Sequence, residues 1–219
     1  MSLFLDSLGL PMTVAQLLDG RPLVVLAPHP DDETLGCGAL LFDAAAQGVP
    51  CSVVCVTDGS RSHPHSRAWP ADRLARQRRA ELESAVAILG AAMHWLGHPD
   101  CQVRTDADIA HLIPRDALVL ATWDGDPHVD HQNVALLARR MARPDVALGF
   151  YPIWGRFTDR SARARTLVAS PAALAAKRRA LSCHRSQMTR LIDDDPDGFV
   201  MEPWRQRHFL DHPEIVIAP

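Results

Sequence analysis

Apolar residues along the chain fall into short unbroken runs, separated by longer stretches in which they recur at helical spacing. The runs at 23–28 (LVVLAP), 51–59 (CSVVCVTDG), 93–97 (MHWLG), 117–122 (ALVLAT) and 146–154 (VALGFYPIW) do not alternate with polar residues. They predict strands, buried ones at 23–28 and 117–122 and a short one at 93–97, and 165–170 (RTLVAS) predicts a further edge strand. Between them, 34–48, 71–90, 132–142 and 171–187 predict helices. In the second of these Leu74, Leu82, Val86 and Leu89 repeat at helical spacing and Gly90 closes the element, while Pro171 opens the last, a position helices tolerate. Residues 1–20 predict an N-terminal arm with a short helix from Thr13 to Gly20. Residues 190–219, with acids at 193–195 and several prolines, predict an irregular C-terminal tail. Strands alternating with helices predict an α/β fold, a mostly parallel sheet with helices on both faces, as one domain over 1–219.

Composition narrows the function classes. A formal net charge of −3 creates no field that would favour nucleic acid or an anionic membrane, and no run approaches the ~18 apolar residues of a membrane span. The five cysteines form no C-x-x-C pair, which points to a reducing compartment. The first twenty residues lack a basic start and carry Asp6 in their apolar stretch, unlike a signal peptide. The expectation is a cytoplasmic protein with a small-molecule substrate, no nucleic-acid partner and no membrane insertion.

Ligands of parallel sheets bind outside the carboxyl ends of the strands, and the unusual polar residues fall there. His29-Pro30-Asp31-Asp32-Glu33 follow the first strand, Thr57-Asp58-Gly59 the second, and Asp124 to His131 the strand 117–122. Charge at the end of a buried strand is costly unless it is paired or bound to a metal. His29 and Asp32 are three residues apart across a strand-to-helix turn, and His128 and His131 are three apart at a helix start. Two histidines and a carboxylate with one open position form a hydrolytic metal set. Asp31, beside a ligand but pointing elsewhere, suits a general base, and His128, oriented and kept protonated by Asp130, suits an oxyanion stabiliser and acid. Taken singly, His-Pro-Asp is ordinarily a turn, Asp32 and Glu33 suit a helix N-terminus, and DPHVDH suits a capped polar loop. It is their joint placement after buried strands that favours a site.

APHPDDETLGCG, together with TDG, RRAE and PHVDH, resembles the PIG-L/LmbE family of zinc-dependent N-acetylglucosaminyl de-N-acetylase-like hydrolases over about residues 23–187. The resemblance implies a Rossmann-like fold and removal of an N-acyl group, an acetyl in the first instance, from an amino-sugar glycoconjugate. It implies His29, Asp32 and His131 as ligands of Zn2+, with Fe2+ an alternative occupant of the same donors. It implies Asp31 as base, His128 as acid and oxyanion stabiliser backed by Asp130, and Arg78 and His184 at the substrate, with Lys177 and Gln187 as pocket or support residues. Some members carry a tyrosine two residues before the position of His128; here that residue is Asp126, and the only tyrosine is Tyr151. Two other functions compete: a metal-dependent amidase on a non-sugar amide, and a non-catalytic sugar- or nucleotide-binding module. Against the module, the first loop lacks G-x-G-x-x-G and its carboxylates would repel phosphate.

Overall fold

The computed structural model describes residues 8–160 and 162–218. Its centre is an eight-stranded sheet in the order β1-β7-β8-β6-β5-β2-β3-β4. The strands are β1 Leu8–Thr13, β2 Leu23–Ala27, β3 Cys51–Thr57, β4 Ala92–His98, β5 Leu118–Thr122, β6 Ala147–Tyr151, β7 Ala164–Val168 and β8 Ile215–Ile217. All neighbours run parallel except β8, which is antiparallel to both β6 and β7. The helices are α1 Val14–Leu18, α2 Asp32–Ala46, α3 Ala71–Leu89, α4 Val129–Arg140, α5 Pro171–Leu181, α6 Arg185–Met188 and α7 Pro203–Asp211.

Every residue of β2 is buried, as expected of a strand covered on both faces. Leu23, Val25 and Ala27 join the core built with Leu35, Leu40 and Leu41 of α2 and Leu82 and Leu89 of α3. Val24 and Leu26 join the opposite core with Val134 and Leu137 of α4. The sheet is thus the mostly parallel, doubly covered one expected. Of the described residues, no helix is long and apolar enough to cross a membrane.

The structure departs from the sequence expectations at the two ends of the chain. Residues 8–13, expected in an arm, form β1 and pair in parallel with β7; Pro11 is tolerated because β1 is an edge strand. The short helix follows at Val14–Leu18, closed at its start by a reciprocal Thr13–Gln16 capping box. Residues 190–219 are not simply irregular. Pro203 opens α7, and Ile215–Ile217 insert as β8 between β6 and β7. With β1 on one side and β8 on the other, 164–168 is an interior strand rather than an edge. The helix expected over 171–187 divides at Ser182–His184 into α5 and α6.

One glycine fixes how closely the layers approach. A Cβ on Gly36 in α2 would lie 2.2 Å from the ring of Tyr151, so only glycine lets the first turns of α2 lie flat against β6. Those turns carry Asp32.

Candidate metal centre and active site

β2 delivers His29 to the carboxyl edge of the sheet, and the chain must then turn at once into α2. It does so at Asp31, whose backbone takes φ 146° and ψ −27°, a combination nearly reserved for glycine. The Asp31 carbonyl accepts from the Thr34 and Leu35 N–H groups (3.0 and 2.9 Å), and its own N–H donates to Glu33 Oε2 (3.0 Å). Arg78, buried on α3, donates to the carbonyls of Pro30 (2.9 Å) and Gly59 (3.1 Å) and reaches Asp31 Oδ2 at 3.3 Å. Gly59, at φ 64°, leaves room for that guanidinium, which a Cβ would meet at 2.4 Å.

α4 supplies the second half. His128 is its N-cap, its Nδ1 accepting the Asp130 N–H (3.2 Å). His131, fully buried, turns Nε2 toward Asp32 Oδ2 (3.3 Å), the same oxygen that lies 3.2 Å from His29 Nδ1. The rings of His29, His128 and His131 lie 4.7 to 5.4 Å apart, and each offers a nitrogen within 4.8 Å of the others'. The residues expected to meet from distant segments therefore do so.

Neither nitrogen of His131 makes an aligned hydrogen bond, although the ring is wholly enclosed and Asp126 Oδ1 is 3.3 Å from Nδ1. Buried polar atoms without partners are rare in folded proteins. Nδ1 faces Asp126, whereas Nε2 faces the Asp32 carboxylate and the second imidazole, where a divalent cation bound by both imidazoles and Asp32 would satisfy it. The donor set fits a metal.

Electrostatics agree. Burial alone would depress the His29 imidazole, but hydrogen bonds to Asp130 and Asp32 raise it to about 9. Burial likewise opposes charge on His131, yet Asp32 and Asp126 raise it to about 10. Asp32 is held well below the carboxylate range: burial pushes it up, and the two imidazoles more than reverse that. Without metal, the neighbouring carboxylates favour the protonated form of both imidazoles. Burial pushes the Asp31 carboxyl up to about 7, against the pull of Arg78. That is a range suited to accepting a proton near neutrality. His128 falls to about 4, through burial and then the charges of His29 and His131.

Several sequence assignments change. The Asp130 carboxylate does not touch His128; its Oδ2 contacts His29 Nε2 (3.0 Å) and accepts the Cys101 N–H (2.9 Å). Asp130 therefore orients His29, and His128 is neutral, with its Nδ1 occupied as an acceptor and Nε2 carrying the proton. His184, expected at the substrate, lies fully buried beneath the first loop against Glu33 Oε1 (3.1 Å) and does not reach the cavity. Burial works against charge on His184, but Glu33 raises it. Arg78 does line the cavity, with its guanidinium engaged by Pro30, Gly59 and Asp31. Lys177 is a support residue, buried in an ion pair with Glu214 (2.7 Å).

Sequence analysis also missed contributors. Asp126 Oδ2 accepts the Ile153 and Gly155 N–H groups (3.1 and 3.0 Å), which fixes the carboxylate behind His131. Asp100 accepts from Gly59 and Arg61 and shapes the mouth. The cavity, about 380 Å³, is walled on its apolar side by Leu35, Trp154, Phe199 and Met201, two of them from the tail expected to be irregular. The D-x-H-x-x-H spacing was a visible signal for Asp126. Nothing local marks Phe199 or Met201.

Comparison with known proteins gives the same picture. The chain is 34% identical over 170 residues to a 1D-myo-inositol 2-acetamido-2-deoxy-alpha-D-glucopyranoside deacetylase of Nocardioides sp., covering 72% of this chain and 55% of that protein. It spans about half the length of the curated relatives it matches. Among solved structures, a deacetylase of the teicoplanin biosynthesis pathway superposes with a TM-score of 0.70 at 20% identity, covering 90% of this chain and 97% of that one. The N,N'-diacetylchitobiose deacetylase of Pyrococcus horikoshii gives 0.66 at 21%, covering 90% and 77%. At such identities both likenesses establish the fold. Residues 24–142, more than half of the sequence, match the PIG-L family, described as GlcNAc-PI de-N-acetylases, and the chain belongs to that family.

Proposed function

We propose that this protein is a zinc-dependent hydrolase that removes an N-acyl group, acetyl in the first instance, from an amino-sugar glycoconjugate. The observation that carries this is the convergence of His29 Nδ1 and His131 Nε2 on one oxygen of Asp32, beside Asp31 at a cavity floor. His29, Asp32 and His131 are the ligands in this proposal, and His128 is left for the substrate. Two imidazoles and a carboxylate suit zinc, with iron(II) the other occupant to look for. A divalent cation there supplies polarisation of the amide carbonyl and acidification of the attacking water.

The chain's own groups do the rest. Asp31, held by Arg78, takes the proton of the water and returns it to the departing nitrogen. His128 donates its Nε2–H to the oxygen on which negative charge develops; its Nδ1 is already engaged, so the ring cannot turn away. Asp130 and Asp126 hold the two ligand imidazoles. The cavity volume lies in the range of small-ligand sites. The similarity to deacetylases acting on acetamido sugars favours that substrate class over simple amides.

The experiment is metal analysis of the purified protein, joined to an amine-release screen of N-acylated sugars and simple amides. His128→Ala is expected to keep its metal and lose about 2.7–4 kcal/mol of barrier lowering, roughly 100- to 1,000-fold in kcat. Metal loss in that variant would make His128 a ligand; turnover at the parent rate would remove its role.

A further inference from the structure

One carboxylate of the first loop takes no part in the chemistry above. Glu33 is fully buried and does not line the cavity, a third acid where ligand and base need two. Three donors converge on it. The Asp31 N–H donates to Oε2 (3.0 Å), while the Thr34 hydroxyl and His184 Nε2 (3.1 Å) meet Oε1. A carboxylate accepts at both oxygens, whereas an amide would turn an NH2 group toward a donor. His184 comes from the junction of α5 and α6 and is itself fully buried. The pair therefore bolts the first loop to a distant part of the chain.

The group it holds is the most unusual backbone among the described residues. Asp19, Cys101 and Asp116 also have positive φ, at 49°, 61° and 57°, within the left-handed region that short polar residues visit. Asp31, at 146°, lies outside it. Both of its peptide units are pinned. Arg78 takes the Pro30 carbonyl and Glu33 the Asp31 N–H on one side, and the first turn of α2 takes the Asp31 carbonyl on the other. Strained backbone persists only where its surroundings over-determine it.

We propose that Glu33, its charge balanced by His184, is a positioning residue that clamps the Asp31 N–H and so keeps the Asp31 carboxylate aimed at the cavity floor. The positioning role rests on Asp31 being the base proposed above. The clamp itself can be read without substrate.

The test is a melting cycle with four variants: Asp31→Ala and Asp31→Gly, each alone and combined with Glu33→Gln. None carries a charge at position 31, so the comparison isolates the backbone. Asp31→Gly is expected to melt above Asp31→Ala, the reverse of glycine's usual effect. Glu33→Gln is expected to lower the midpoint more in the Asp31→Gly background than in the Asp31→Ala background, because the released alanine backbone relaxes and recovers its strain, whereas glycine has little to recover. Equal losses in both backgrounds, or glycine melting below alanine, overturn the clamp. If a double variant does not fold, the order of the single variants decides, glycine above alanine supporting the clamp and glycine below overturning it. With Asp31 intact, Glu33→Gln should lower kcat about a hundredfold with KM nearly unchanged and metal retained. Unchanged kcat beside a coupled melting cycle overturns the positioning role. A parent chain that releases no amine from any substrate sinks the de-N-acylase proposal alone, because the melting cycle still reports on the clamp.

Discussion

Helix α2 carries two buried clusters of charge, and they are built on opposite terms. At mid-helix, Lys177 Nζ bonds Glu214 Oε1 (2.7 Å) and the Leu35 carbonyl (2.8 Å), while the two Glu214 oxygens accept the Ala39 and Leu40 N–H groups (both 2.8 Å). In a regular ladder the Ala39 N–H would pair with the Leu35 carbonyl. Here the ion pair is spliced between them, tying α2 to α5 and to the segment that leads into β8. At the N-terminal end the same helix presents Asp32 to two imidazoles, of which His131 is close but misaligned. Asp130 Oδ1 is without a partner there, and the backbone at Asp31 is strained. Charge buried with every partner present is architecture; charge buried with partners missing marks the place for something the chain does not supply.

Removing a donor from the incomplete cluster gives the largest effect. Asp32→Ala and His131→Ala are each expected to lose stoichiometric metal and all amine release. Protons compete for the same place. Because His29 and His131 titrate at about 9 and about 10 without metal, binding near neutrality must displace protons. The apparent metal affinity should then rise with pH, by up to about tenfold per unit for each imidazole displaced. The sign for stability is opposite. Raised imidazoles stabilise the metal-free fold fully below ~6.5, and that contribution fades as pH climbs through about 9 to 10. Titration calorimetry and pH-dependent melting of metal-free and metal-loaded protein test both, and a pH-independent affinity would refute the proton-filled cluster.

The complete cluster should fail differently. Lys177→Met leaves Glu214 buried and uncompensated, which costs about 3–5 kcal/mol of stability by denaturant unfolding. Adding Glu214→Gln should recover much of that loss, and the folded fraction of either variant should keep its metal. An emptied metal site at unchanged stability in Lys177→Met would erase the distinction between the two clusters.

Legibility follows the same division. The unalternated runs mark the six strands from 23 to 170, and the His29–Glu33 and His128–His131 spacings mark where the carboxyl edge carries its donors. What escapes is long-range. Residues 8–13 and 215–217 have no meaning as strands until β7 lies beside them. Ile-Val-Ile between prolines is too short to carry a periodic signal. Sequence proximity pairs Asp130 with His128, but the N-cap geometry of α4 gives His128 the Asp130 backbone amide and sends the carboxylate to His29. The motif around His184 suggests a substrate contact, and only packing reveals that it faces Glu33.

The smallest effect tests the comparison at its finest. Tyr151 is the only tyrosine, and a phenol near a hydrolytic site invites a catalytic role. Its position argues otherwise. The ring lies on Gly36, the hydroxyl donates to the Leu26 carbonyl (2.9 Å), and the side chain is fully buried outside the cavity. Burial pushes the phenol well above its ordinary range, so it stays protonated and its one proton is committed to the backbone. Tyr151→Phe keeps the ring and removes one hydrogen bond, that to the Leu26 carbonyl. The expected cost is about 0.5–1.5 kcal/mol in stability, with kcat and KM at the parent values. A hundredfold fall in kcat at unchanged melting temperature would instead place this hydroxyl among the reacting groups and move the boundary drawn here between scaffold and site.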